Sequence, residues 1–466
     1  MRETLVQATY LAAAILFILG LRSLTRPDTA LKGMRQAALG MLFAIVGTLV
    51  GHEILTYGWI AGGLVLGAVI GYPMGVKVPM TAMPQRIAIA LTFGASAATL
   101  VGISEYARRG YGAELSHATM AALGFEVLLG SVAVGGSLVA FGKLQEILPG
   151  KPLTFRGQNA VNVLLFAAIV AMLAWLVYAP ATATLFYAMI ALAVVLGLSF
   201  VLPIGGADMP VVVALLNSYA GLAASATGFA IGNTILIVCG ALDGVSGFIL
   251  SLLMSKAMNR SFSNVLFGAF GVPVAASGKG ITGSMKPVSV EDAASQLAYA
   301  SRVVIVPGYG MAVAQSQHVV RELTDLIEKR GGEVKFAIHP VAGRMPGHLN
   351  VILAEANVAY DKLITDVDDA NGQLANADLA VVIGANDIVN PAAEDEPGSP
   401  IYGMPVIRAW TARTVFVVKR GQGVGFAGIE NPLFFRDNTR MLYGDAKGVA
   451  TALTQEINSM DDGGHF

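Results

Sequence analysis

The chain has 466 residues, of which 55% are hydrophobic and only 13% charged, and its formal net charge is -1. Soluble chains carry roughly 25% charged residues, so this composition describes an integral membrane protein. The near-neutral balance leaves no basic stripe for nucleic acid, and the single cysteine, Cys239, lies in an apolar segment and cannot form an internal disulfide.

Nine stretches are long and apolar enough to cross a hydrocarbon core of ~30 Å. They centre on 5–21, 36–51, 57–75, 87–104, 119–142, 160–179, 182–203, 209–230 and 233–254. The first begins almost at the start, has no basic segment of any size ahead of it and is followed by more spans, so it reads as a transmembrane helix and not as a cleavable signal. Only Gly205-Gly206-Ala207-Asp208 separates the seventh from the eighth, which predicts a tight hairpin. Loops on one side carry Arg22, Arg26, Lys32, Arg35, Lys77, Arg86, Lys143, Lys151, Arg156, Lys256 and Arg260; the other side has only Arg2, Arg108 and Arg109. Basic loops stay in the cytoplasm, so nine spans put the N-terminus outside and the C-terminal part inside.

Gly63-xxx-Gly67-xxx-Gly71 and the run Gly130 to Gly136 are small-residue faces that let helix backbones approach. Polar residues at depth are costly and should face a partner, the bundle interior or water. Glu126 sits early in the fifth span, Asp208 at the hairpin, Asn217 inside the eighth span and Asp243 near the middle of the ninth. Asn217 fits interhelical hydrogen bonding with Ser218 or Tyr219 as well as a polar path, and Asp208 fits a helix N-cap. Asp243 has no such structural reading and points to a proton or ion site.

Residues 259 to 300 are small, polar and glycine-bearing and read as a linker. The domains are drawn as a membrane part at 1–258, a hinge at 259–290 and a nucleotide-binding part at 291–466. Ser277-Gly278-Lys279-Gly280 is not a phosphate loop of the Walker type, which needs glycine where Pro273 stands and Ser or Thr where Gly280 stands. From Ser301 strand and helix alternate: strand Arg302 to Val306, helix Met311 to Lys329, strand Glu333 to Ile338, helix Leu349 to Ala356, strand Leu379 to Gly384 and strand Thr414 to Val418. This predicts a Rossmann-like, doubly wound parallel sheet.

Val306-Pro-Gly308-Tyr-Gly310-Met-Ala-Val313 falls between the first strand and its helix, where a pyrophosphate is held. Gly308 serves the tight turn and Gly310 the close approach of phosphate. An NAD-selective site has an acid at the end of the second strand, but Ile338-His339-Pro340 stands there. Lys419-Arg420, followed by Gly421-Gln422-Gly423 at a later strand end, offers a point charge and a guanidinium fork for a 2′-phosphate, so NADP is favoured over NAD.

The chain also resembles, over essentially its whole length, the beta subunit of the proton-translocating NAD(P) transhydrogenase. The likeness is carried by Leu202-Pro-Ile-Gly-Gly-Ala-Asp208-Met-Pro210 with Leu216-Asn217-Ser218-Tyr219, by Lys256-Ala-Met-Asn-Arg-Ser-Phe262, by Val306 to Gln315, by Val341-Ala-Gly-Arg-Met-Pro-Gly-His348, by Gly384-Ala-Asn-Asp387 and by Tyr443-Gly-Asp-Ala-Lys447. The resemblance implies NADP(H) on this chain and NAD(H) on an alpha subunit, which occurs whole or split in two chains. It also implies a dimer of the alpha-beta unit in the inner membrane. Hydride would pass directly between nicotinamides without a catalytic acid or base or a metal, coupled to proton passage through open and occluded states of the NADP site.

By that resemblance Tyr309, Gly310, Met311, Ala312 and Val313 hold the dinucleotide, and Gly343, Arg344, Met345, Pro346 and Gly347 cover it. Asn386 and Asp387 lie near the nicotinamide, Lys419 and Arg420 take the 2′-phosphate, and Asp445 and Ala446 close the site. Asn217 and Asp208 match polar positions of the proton path and its cytoplasmic exit.

The sequence departs from the family in three places. Leu91 stands where many members have a histidine, Gly421-Gln422 replaces Ser-Met, and Phe426 replaces Tyr. Without that histidine, either the partner supplies a proton carrier or Asp243, where the family is usually apolar, has taken the role. A nucleotide-gated transporter or channel and a catalytically silent paralogue are the competing readings. No Thr-Val-Gly-Tyr-Gly filter supports the former, while Leu91 leaves the latter open.

Overall fold

The computed structural model describes residues 2–24, 27–51, 57–150, 152–205, 208–258, 262, 283–345, 347–397, 399, 401–421, 423–425 and 427–462. Most of the expected linker, with its Ser277-Gly278-Lys279-Gly280 run, lies outside these residues, as do Pro346, Gln422 and Phe426. The chain forms two compact units, Met1–Leu252 and Leu253–Phe466.

Among the described residues nine helices are long and apolar enough to cross a membrane. They are α1 (Arg2–Leu24), α2 (Pro27–Gly51), α3 (Tyr57–Val76), α4 (Met83–Arg108), α5 (His117–Leu144), α6 (Gln158–Tyr178), α7 (Ala183–Val201), α8 (Met209–Ile231) and α9 (Thr234–Ala257). In α5 and α8, 72% of the most apolar stretch is buried, against none in α3, so α5 and α8 form the interior. Small residues make this possible. A Cβ on Gly135 would stand 2.3 Å from the Val194 carbonyl oxygen, and one on Gly197 2.2 Å from that of Val132, so α5 and α7 cross with their backbones touching.

The run from Gly130 thus packs as expected, but the α3 stripe does not. Nothing lies within 4 Å of a Cβ on Gly63, Gly67 or Gly71, because no other described helix of this chain covers that face. Serine hydroxyls tie α9 to α8. Ser218 Oγ donates to the Gly244 carbonyl at 2.6 Å, Ser225 Oγ to that of Ile237 at 3.1 Å, and Ser251 Oγ to that of Val211 at 3.0 Å.

The second unit contains six parallel strands, β1 (Arg302–Pro307), β2 (Glu333–Ala337), β3 (Leu363–Ile364), β4 (Leu379–Ile383), β5 (Thr414–Lys419) and β6 (Thr439–Tyr443), in the order β3-β2-β1-β4-β5-β6. All five residues of β4 are buried, as the continuous apolar run Leu-Ala-Val-Val-Ile requires of a strand covered on both faces. The helices of five or more residues are α10 (Val290–Ala298), α11 (Tyr309–Val313), α12 (Gln317–Lys329), α13 (His348–Glu355), α14 (Val367–Leu374) and α15 (Ala446–Asp462), with α10 and α12 packed on α15. The strand order reverses between β1 and β4, which places a crevice at their C-terminal ends.

Several elements differ from expectation. The helix foreseen from Met311 to Lys329 is two helices, α11 and α12, because Gln315 adopts a left-handed conformation at φ 49° and Ser316 bonds back to the Met311 carbonyl. Val290–Ala298, foreseen within a linker, is helical: Ser289 accepts the Asp292 N–H, and Ala293, Ala294 and Leu297 are buried. β3, β6, α14 and α15 were not foreseen. Two residues of β3 are too short to show alternation, and α14 is polar but for Val367, Ala370 and Leu374.

Candidate functional site

The turn between β1 and α11 is built by close backbone approach. A Cβ on Gly308 would meet the Gly384 carbonyl oxygen at 2.3 Å, and one on Gly310 the Gly384 Cα at 2.7 Å, while Gly384 itself has φ 64°. The Gly308 N–H donates to the Ile383 carbonyl at 2.8 Å and the Gly310 N–H to that of Gly384 at 2.9 Å. Both glycines therefore serve contact between the first turn and the β4 turn. From sequence, Gly310 has a role toward phosphate alone and Gly384 stands only at a strand end and in the Gly384-Ala-Asn-Asp387 likeness; their mutual packing is added by the structure.

That contact brings Gly308, Gly310 and Met311 beside Gly384 and Ala385, which Asn386 and Asp387 follow in the chain. On the other side Arg344 places its guanidinium 4.5 Å from the Tyr309 ring centre, a cation–π contact that joins the segment Gly343 to Gly347 to the first turn. Gly343 at φ 109° and Gly347 at φ 68° give this segment its bends. It is braced by His348, whose Nδ1 accepts the Arg344 N–H at 3.1 Å. Burial, and then the Arg344 charge, hold the His348 imidazole down to about 4. The ring is thus neutral and can act as that acceptor. Met311 and Ala312 are fully buried, whereas Val313 is half exposed.

At the ends of β5 and β6 the expected basic pair divides. Lys419 is partly buried, with Nζ 4.5 Å from the Phe434 ring centre and donating to the Gly423 carbonyl; Arg420 is exposed. Burial lowers the Lys419 pKa while the nearby Asp387 charge raises it. The Gly444 N–H donates to the Lys419 carbonyl at 3.0 Å, and Asp445 Oδ2 accepts the Lys447 N–H at 3.1 Å, so Asp445 and Ala446 begin α15 directly beside β5. Gly421 and Gly423 have open space around a hypothetical Cβ.

Asp387 Oδ2 accepts the Ala427 N–H at 3.0 Å, and Asn431 Nδ2 donates at 3.0 Å to both the carbonyl and the side-chain oxygen of Asn386. Asn431 and its neighbour Asn390 carried no motif and were not foreseen. Their only sequence signal is two carboxamides in otherwise buried surroundings.

In the membrane unit Asn217 Nδ2 donates to Asp243 Oδ1 at 3.0 Å. This joins α8 to α9, an interhelical bond of the kind that is one of the two readings of Asn217, with Asp243 as its partner, while Ser218 bonds separately to the Gly244 backbone. Asp243 is exposed on this chain. Asp208 stands at the N-cap of α8, with no side-chain capping bond to that helix among the described residues. It precedes Asn217 on α8 by about 13 Å at 1.5 Å per residue. Glu126 is fully buried on α5, and the missing Cβ of Gly102 leaves room for it: that atom would lie 3.0 Å from Glu126 Oε1. Leu91 packs with the apolar cluster of Ala88, Val139 and Leu216.

The model of the NAD(P) transhydrogenase beta subunit family matches residues 6–456 of this chain. Two relatives from Rhodospirillum rubrum, both named NAD(P) transhydrogenase subunit beta, are each 47% identical to it over 467 residues, covering 98% of this chain and 100% of the relative. A membrane bundle followed by a doubly wound domain, matched almost end to end, leaves one conclusion: the chain belongs to the NAD(P) transhydrogenase beta subunit family.

Proposed function

We propose that this chain binds NADP(H) at the C-terminal ends of β1, β4, β5 and β6 and conducts protons through its membrane unit, while an alpha subunit presents NAD(H). The observation that carries this reading is the convergence of the Gly308–Met311 turn, the Arg344 segment, Asn386–Asp387 and Lys419 around one strand-order reversal. The donor set fits the cofactor. Arg420 is an exposed fork, Lys419 is an ammonium that donates to a backbone carbonyl, lies over a ring and feels the Asp387 charge, and the end of β2 carries no acid.

When bound, NADP(H) supplies the hydride carrier. The chain's own part is to hold and orient it, with Arg344 and Tyr309 over the first turn and Asn386 and Asp387 at the nicotinamide end. On the membrane side Asp208, Asn217, Asp243 and Glu126 form the polar path, with the N-terminus outside and the second unit in the cytoplasm. The Asn217–Asp243 pair takes the place of a histidine at Leu91.

Vesicles holding this chain and its alpha subunit test the reading. They should couple transhydrogenation to proton movement. Asp243→Asn should lower the coupled proton movement at least about tenfold, as expected for loss of a proton-carrying group, and leave NADPH binding unchanged. Undiminished proton movement would remove Asp243 from the path.

A further inference from the structure

Two buried carboxamides clamp the turn after β4 to the chain leading into β6. Asn431 is 2% exposed and Asn390 fully buried. Asn431 Nδ2 donates to both oxygens of Asn386, and its own Oδ1 accepts the Leu433 N–H at 3.0 Å. Asn390 Nδ2 donates to the Glu430 carbonyl at 3.1 Å and its Oδ1 accepts the Ala392 N–H at 3.0 Å. Each carboxamide thus uses its acceptor to fix its own local turn and its donors to reach across to the other segment. Asn386, held at φ -139° and ψ -76°, lies outside the helical and strand regions, a conformation that needs support from its surroundings.

We infer that Asn431 and Asn390 are positioning residues for hydride transfer: they set Asn386 and Asp387 at the nicotinamide end of the site without touching the dinucleotide. The inference rests on the proposed placement of NADP(H). Its physical basis is geometric. Misplacing a reacting group by about 1 Å costs on the order of a hundredfold in rate, whereas the contacts that give affinity for the 2′-phosphate lie at Lys419 and Arg420, on another strand end. Loss of the clamp therefore separates turnover from binding.

The test uses the full chain with its alpha subunit. Asn431→Asp keeps the shape and the acceptor toward Leu433 but replaces the donors with a carboxylate facing the Asn386 oxygens. Asn390→Asp does the same toward Glu430 and leaves Asn431 intact. Both variants should lower kcat for transhydrogenation at least about tenfold, while equilibrium NADPH binding stays within about threefold and the preference for NADPH over NADH is kept. Turnover within twofold of the parent in both variants would overturn the inference. So would parallel loss of binding and turnover in both, since the carboxamides would then be simple core residues. Failure of the unaltered chain to bind NADPH would instead strike the proposed site itself.

Discussion

His339 follows β2 and is 1% exposed; its Nδ1 accepts the Val341 N–H at 3.2 Å, which leaves the proton on Nε2 to be donated to the Pro405 carbonyl at 2.6 Å. Both ring nitrogens are satisfied only when the imidazole is neutral, and burial pushes its pKa down to about 4. The unfolded chain takes up this proton near pH 6.5. The histidine therefore contributes stability that is fully present above about pH 6.5 and is lost as pH falls toward 4, on the order of 3 kcal/mol. His348 adds in the same direction. Thermal unfolding followed by Trp410 emission, with Trp59 and Trp175 replaced by Phe, should show the midpoint falling between pH 6.5 and 4.5, and His339→Gln should flatten that fall. A midpoint independent of pH in the parent would contradict the assignment. At this scale the sequence exposes groups whose chemistry stands out, such as Lys419 or Asp243. It hides groups such as Asn431, whose role comes only from a partner 45 residues away.

At the scale of elements, glycine spacing suggests close packing but does not say against what. Gly197 is in contact with the α5 backbone, and Gly67 has open space. Gly197→Leu should therefore disrupt the α5–α7 crossing, with a cost of several kcal/mol through overpacking, seen as loss of folded protein in detergent. Gly67→Ala should leave this chain's own fold intact; comparable damage from both would show that α3 packs against this bundle after all. The nine spans were legible because a membrane core imposes length and hydropathy together; eight lie within a few residues of their expected ranges, while the second begins at Pro27, nine residues before its expected start. The central strands β1, β4 and β5 were legible as continuous apolar runs. The edge strands, α14 and the break at Gln315 were not, since they depend on tertiary contact or on a single backbone angle.

Across the whole molecule, two chemically distinct units share one chain, and the family assignment joins nucleotide chemistry to a membrane. Each unit has its own polar assembly: Asn217 with Asp243 in one, the strand-end loops in the other. The proposed preference for NADP(H) rests on the absent acid after β2 and the basic pair after β5. The tie between the loops after β4 and β5 was not legible in the sequence, because it is made by the Asp387 carboxylate and the Asn431 carboxamide with partners 40 and 45 residues away. The central claim is that the second unit holds NADP(H) through its 2′-phosphate, and its most direct test is equilibrium binding of NADPH and NADH to the full-length chain in lipid nanodiscs. The account predicts NADPH binding at least about tenfold tighter than NADH, with Arg420→Ala weakening NADPH by a similar factor, the worth of one charge-assisted contact, and leaving NADH unchanged. Equal affinity for the two nucleotides, or binding of neither, would contradict it.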